Sequence, residues 1–144
     1  MASSPYVRSA VCAALLLVSL PAFAHGGGWL ARCLDDADSR LSDAECYAEY
    51  VNRLKREQSG LLRRITTALS RPGPAETDYP QALERLNKTQ AHWRTYIKSD
   101  CSIISNVFGG GNAIGFAEET CLIEHYRSRN AQLKRLKSDY LDIK

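Results

Sequence analysis

Beyond position 42, apolar residues recur at intervals of three and four in three long runs, separated by only two Pro- or Gly-rich breaks. That spacing lines up one face of an α-helix, and no stretch alternates convincingly at the period of two that a half-buried strand needs. The first run is Tyr47, Val51, Leu54, Leu61, Ile65 and Leu69. Ser42-Asp43-Ala44-Glu45 opens it as a capping box, in which the Ser and Glu side chains satisfy open backbone donors. Gly60 inside it costs about 1 kcal/mol relative to Ala without breaking the helix. Arg71-Pro72-Gly73-Pro74 ends it, because proline removes a donor and restricts the residue before it.

Pro80 suits the first turn of the second helix. Its stripe is Leu83, Leu86, Trp93, Ile97, Ile104 and Val107, with Trp93 and Ile97 expected in the core, and Gly109-Gly110-Gly111-Asn112 stops it. The third helix is expected to start near Gly115 and Phe116, with Glu118 and Glu119 close to its positive end and Lys134, Arg135, Lys137 and Lys144 towards its negative end. Its stripe is Leu122, Ile123, Tyr126, Leu133, Leu136 and Tyr140. The three spans, 43–69, 80–107 and 116–143, are each about 40 Å long at the rise of an α-helix. Short connections make sequential helices antiparallel neighbours. The expected fold is therefore all-α: an antiparallel bundle of three long helices, with a short helical segment from Trp29 to Asp38 packed along it. A chain of 144 residues holds one such domain.

The start of the chain reads differently. Arg8 precedes an apolar run from Ala10 to Leu20, then Pro21-Ala22-Phe23-Ala24. This is the basic region, short apolar region and small-residue site of a secretory signal peptide, with cleavage expected after Ala24. The apolar run is too short to cross about 30 Å of hydrocarbon, and no later stretch is apolar enough to do so. Lipoprotein processing needs a Cys at the end of the apolar run, whereas Cys12 lies near its beginning. The expected product is a periplasmic, non-lipidated chain with signal peptide 1–24, a flexible leader His25-Gly26-Gly27-Gly28, and a domain over 29–144.

Cleavage leaves Cys33, Cys46, Cys101 and Cys121, and an even number in a small exported domain reads as two disulfides. Of the three connectivities, geometry favours the local one. Cys101 and Cys121 lie ten residues on either side of Gly111, so a helical hairpin turning there sets them at one height, and Cys33 and Cys46 likewise flank a turn at Asp38–Ser42. Loops of this size stabilise a fold by about 3 kcal/mol each in the chain-entropy picture. The spacings lack the C-x-x-C knuckle of a zinc site, so no metal or other cofactor is expected.

The remaining polar residues argue for structure more than for catalysis. Gln58, Gln90 and Asn130 each interrupt a stripe, and counted along an up-down-up bundle they fall within about 4.5 Å of one height. They are expected to form one buried polar layer that favours this register over slipped ones. His92 and His125 sit one step off their stripes as partly exposed helix residues. Glu118 and Glu119 are adjacent and so point about 100° apart, which suits a helix start better than paired acid–base work. Asp35, Asp36 and Asp38 lack the Gly and distal Glu of a calcium loop. No G-x-S-x-G, Walker or G-x-G-x-x-G element is present, so no catalytic residues are assigned. Basic residues cluster at Arg53, Lys55, Arg56, Arg63 and Arg64, and again at Arg127, Arg129, Lys134, Arg135 and Lys137, but acids interleave with them as on solvated helix faces. The formal net charge is only +3, without the basic excess of a nucleic-acid binder.

Gln90-x-x-Trp93-x-x-Tyr96-x4-Cys101, a Gly-rich turn, then Cys121-x7-Arg129-x3-Leu133 resembles the LprI-type lysozyme-inhibitor domain. The first half agrees more loosely, through Cys33, Cys46 and the Tyr50-x3-Leu54 step, so the resemblance spans about residues 30–135. The family usually has Arg and then an acid after the Tyr, where this chain has Ile97 and Lys98, and often Thr where Tyr126 stands. The resemblance implies a small exported bacterial helical domain without enzymatic activity that binds and blocks lysozyme or another peptidoglycan hydrolase. The turn Gly109-Gly110-Gly111-Asn112 is the candidate contact with such a target. The alternatives are an immunity protein against a delivered cell-wall hydrolase and a structural or envelope-stress protein with no enzyme target.

Overall fold

The computed structural model describes residues 28–36, 41–108 and 113–141. Four α-helices run in order, α1 Gly28–Asp35, α2 Asp43–Leu69, α3 Tyr79–Phe108 and α4 Ala113–Arg135, and a π-helical turn Leu136–Tyr140 continues α4. No strand occurs among the described residues. The expected signal sequence and cleavage site, and the turn Gly109–Asn112, lie outside them.

Local chemistry explains the helix boundaries. Ser42 caps α2 as expected: its backbone N–H donates to Glu45 Oε2 at 2.7 Å while the Glu45 N–H reaches the Ser42 hydroxyl. Those bonds from Ser42 hold the Glu45 carboxyl below the usual range. Asp78 begins α3, accepting from the Gln81 N–H at 2.9 Å and satisfying an orphan donor just inside the helix. Helix α1 takes in Gly28 and ends at Asp35, short of Asp38. Helix α4 begins at Ala113 rather than Phe116, so Glu118 and Glu119 lie beyond its first turn and gain less from the helix dipole than the sequence implied.

Polar bonds fix the topology. Going down α3 from Cys101 to Asp100 to Gln90, the partners climb α4 from Cys121 to His125 to Arg129, so these helices are antiparallel. Asn130 of α4 bonds Leu54 and Glu57 of α2, and Lys134 pairs with the same Glu57, so α2 and α4 run the same way. The bundle is up-down-up. Helix α1 lies on α2, where Trp29 stacks on Tyr50 with ring centroids 6.2 Å apart and Arg53 sits 4.1 Å above the Trp29 ring.

The core divides in two. Val51, Leu54, Ile97, Ile123 and Tyr126 form one buried cluster, and Leu61, Ile65, Leu69, Leu86 and Leu133 form the other. Each fully buried aliphatic side chain contributes about 1.5–3 kcal/mol. The buried amides Gln58, Gln90 and Asn130 fall between the clusters on α2, α3 and α4 respectively.

Three expectations about the stripes are corrected. Trp93 is partly buried against the first cluster rather than within it, its ring edge-on to Tyr126 at 5.1 Å. Val107 is 73% exposed because Cys101 takes the inward position and Val107 lies about 120° around the helix from it. Tyr140 is 78% exposed because the wider π turn inserts one extra residue into the repeat. Leu141 takes its place against the second cluster.

Candidate functional site

The residues of the Gln-Trp-Tyr-Cys and Cys-Arg-Leu patterns meet along the seam between α3 and α4. At one end of the described seam the Cys101–Cys121 disulfide joins the helices with Cα atoms 5.7 Å apart; Cys33–Cys46 ties α1 to α2 at 5.9 Å. The pairing is the local one that the hairpin geometry favoured. Beside the first bridge, Asp100 and His125 Nε2 share a hydrogen bond of 2.7 Å, and the Tyr96 ring meets the His125 ring edge-on at 5.4 Å. His125 is therefore partnered and partly buried, while His92 is exposed. Ser105 donates to Glu118 at 3.1 Å and adds a further cross-link towards the turn.

The sulfurs of Cys101 and Cys121 and a ring nitrogen of His125 lie within 4.8 Å of one another. A cysteine coordinates a metal or attacks as a nucleophile only as a thiolate, and both sulfurs here are consumed by the disulfide. In this oxidised form the Asp100–His125 pair has no adjacent thiol to activate.

The polar layer is built differently from the expected triad. Gln90 Nε2 donates to Gln58 Oε1 at 2.9 Å, and Arg129 Nε donates to Gln90 Oε1 at 3.2 Å. Asn130, 2% exposed, instead donates to the Leu54 carbonyl at 3.0 Å and to Glu57 Oε2 at 3.1 Å. Two amides meet; the third grips the backbone of α2. Arg129 and Glu57 were missed as members, since each helix shows its own stripe but not which charged neighbour bends inward. Burial holds the Arg129 guanidinium below its usual pKa and pushes the Tyr126 hydroxyl up. Burial, reinforced by neighbouring Glu118, raises the Glu119 carboxyl, whose Oε2 is enclosed without a hydrogen-bond partner.

On its outer side α3 carries Tyr96, Ile103 and Val107, each more than half exposed. Their spacing of seven and four keeps them on one broad face, whereas Arg94 and Lys98 lie about 160° around the helix from Tyr96. Exposed aromatic and aliphatic side chains gathered on one face make a surface suited to holding a protein partner. The sequence stripe hid this face, because Val107 was read as inward and Ile103 was not assigned. Of the pattern residues, Gln90, Cys101 and Leu133 are buried, Trp93, Cys121 and Arg129 are half-buried, and Tyr96 is exposed. The four turn residues of the candidate contact are outside the described residues.

No described helix is long and apolar enough to cross a membrane. No curated protein and no solved structure gives a significant match to the chain. Comparison with protein families matches residues 33–133 to the family described as Lysozyme inhibitor LprI, a span that begins at the first bonded cysteine and ends at the buried Leu133. With most of its length inside that match, and with both cysteine pairs bonded, the chain belongs to the lysozyme inhibitor LprI family.

Proposed function

We propose that this protein is exported, loses residues 1–24, and acts in the periplasm as a non-enzymatic inhibitor of lysozyme or a related peptidoglycan hydrolase. The observation that carries this reading is the family match over 33–133. The architecture supports it physically. A bundle stapled at two places loses little conformational entropy when it docks. The exposed aromatic and aliphatic side chains on the outer face of α3 are anchors suited to docking against the mouth of a glycosidase cleft. In this reading Tyr96, Ile103 and Val107 supply contact area, and the turn Gly109-Gly110-Gly111-Asn112 reaches into the cleft. Gln90, Trp93, Arg129 and Leu133 hold the seam that presents them.

The test is capture of purified hydrolases on the immobilised, oxidised protein, using lysozymes of several structural types and bacterial cell-wall hydrolases. Retention of a lysozyme supports the inhibitor reading. Retention restricted to a hydrolase delivered by competing bacteria would assign an immunity role instead. Retention of none would leave a structural protein of the envelope and overturn the proposal.

A further inference from the structure

Arg129 is half-buried and has no carboxylate partner among the described residues; it donates to the amide oxygens of Gln90 and Gln132. A buried cation without a counter-charge is unfavourable unless something else supplies one. The same side chain lines a pocket of about 340 Å³ between the first half of α3 and the end of α4. Leu69, Leu86, Leu133, Leu136 and Leu141 give it an apolar wall, Arg85 adds a second cation, and no acidic side chain lines it. The volume is in the range of small-molecule sites, roughly 300–1,000 Å³. Apolar walls do not suit a hydrated inorganic anion, and two arginines do not suit a cationic or purely hydrocarbon ligand. Both features are matched by an alkyl chain ending in an anion, since a guanidinium holds a carboxylate in a two-pronged, charge-assisted geometry.

We propose that this pocket binds a free, medium-chain fatty acid, its chain along the leucines and its carboxylate on Arg129 and Arg85. The pocket lies at the opposite end of α3 from Cys101 and the exposed Tyr96–Val107 face, so the site stands independently of the hydrolase reading. It gives Arg129 a role beyond bracing the Gln58–Gln90 pair.

Calorimetric titration of the oxidised full chain with sodium decanoate, decanol and decyltrimethylammonium, each below its micelle concentration, tests the proposal. Decanoate should bind once per chain, decanol at least tenfold more weakly, and the cationic analogue not detectably. Arg129→Gln keeps a hydrogen-bonding side chain for Gln90 but removes the charge, and should weaken decanoate at least tenfold while leaving decanol unchanged. Leu136→Trp fills the pocket and should abolish binding of both; it leaves Arg129 in place and decides the matter if Arg129→Gln fails to fold. Decanoate binding no tighter than decanol, or unaltered binding in Leu136→Trp, overturns the proposal. So does attachment to anionic phosphatidylglycerol vesicles without binding of free decanoate, which would make the basic end a membrane contact.

Discussion

The amides between the two core clusters show how a few polar atoms fix a register. Gln58 and Gln90 share one bond, and Arg129 extends the chain to α4. Replacing Gln90 with Leu strands the buried Gln58 side chain and removes an acceptor from Arg129, so it should cost about 1–3 kcal/mol in denaturant unfolding. Adding Gln58→Leu should cost less than the sum of the two single changes, because the lost bond is shared. Strict additivity would mean that the amides do not act together. Glu119 makes the opposite prediction. Its folded pKa is raised by burial, so the folded protein binds that proton more readily than the unfolded chain. Stability therefore falls as pH climbs from the unfolded carboxyl value through the raised folded one, and the penalty is complete above it. Glu119→Gln should melt higher than the parent at pH 7, and the gain should vanish below about pH 4. Equal melting temperatures at pH 7 would show that the enclosed Oε2 is solvated.

At the scale of elements, two glycines make opposite predictions. A Cβ at Gly60 would meet nothing within 4 Å, so Gly60→Ala in α2 should stabilise the protein by about 0.5–1 kcal/mol. A Cβ at Gly73 would fall 2.7 Å from Tyr79 Cδ1, so Gly73→Ala between α2 and α3 should destabilise by about 1–3 kcal/mol. Thermal melts of the pair check both signs together. The helices, their breaks and the cysteine pairing were legible because each depends on local chemistry: periodicity, caps, proline and symmetric spacing about a turn. The amide layer was legible to the extent that height along a helix can be counted. What could not be read depends on neighbours or on helix phase. Asp100 and His125 are separated by a whole hairpin, and nothing near either marks the partner. The outward turn of Val107 follows from Cys101 occupying the inward position, a choice made by the disulfide. The π turn at Leu136–Tyr140 leaves no periodic sign, yet moves the buried position from Tyr140 to Leu141.

For the whole molecule, the two ends of the bundle differ in what they present. The end holding the Cys101–Cys121 bridge carries the outward face of α3, braced by the Asp100–His125 and Ser105–Glu118 cross-links. The other end holds the leucine-lined pocket and the half-buried Arg129. In the proposed reading the chain without residues 1–24 carries a net charge of +2, which gives no long-range attraction towards a cationic lysozyme, so recognition would rest on short-range fit. On that proposal the fit needs the rigid, oxidised bundle, so inhibition should be lost when the disulfides are reduced. The most direct measurement is the rate at which lysozyme clears a cell-wall suspension as the oxidised protein is titrated in, with the reduced and alkylated protein as control. Clearing by at least one lysozyme type should fall to a plateau near one inhibitor per enzyme, and the alkylated control should leave the rate unchanged. An undiminished rate at large molar excess against every lysozyme type tested would contradict the inhibitor reading.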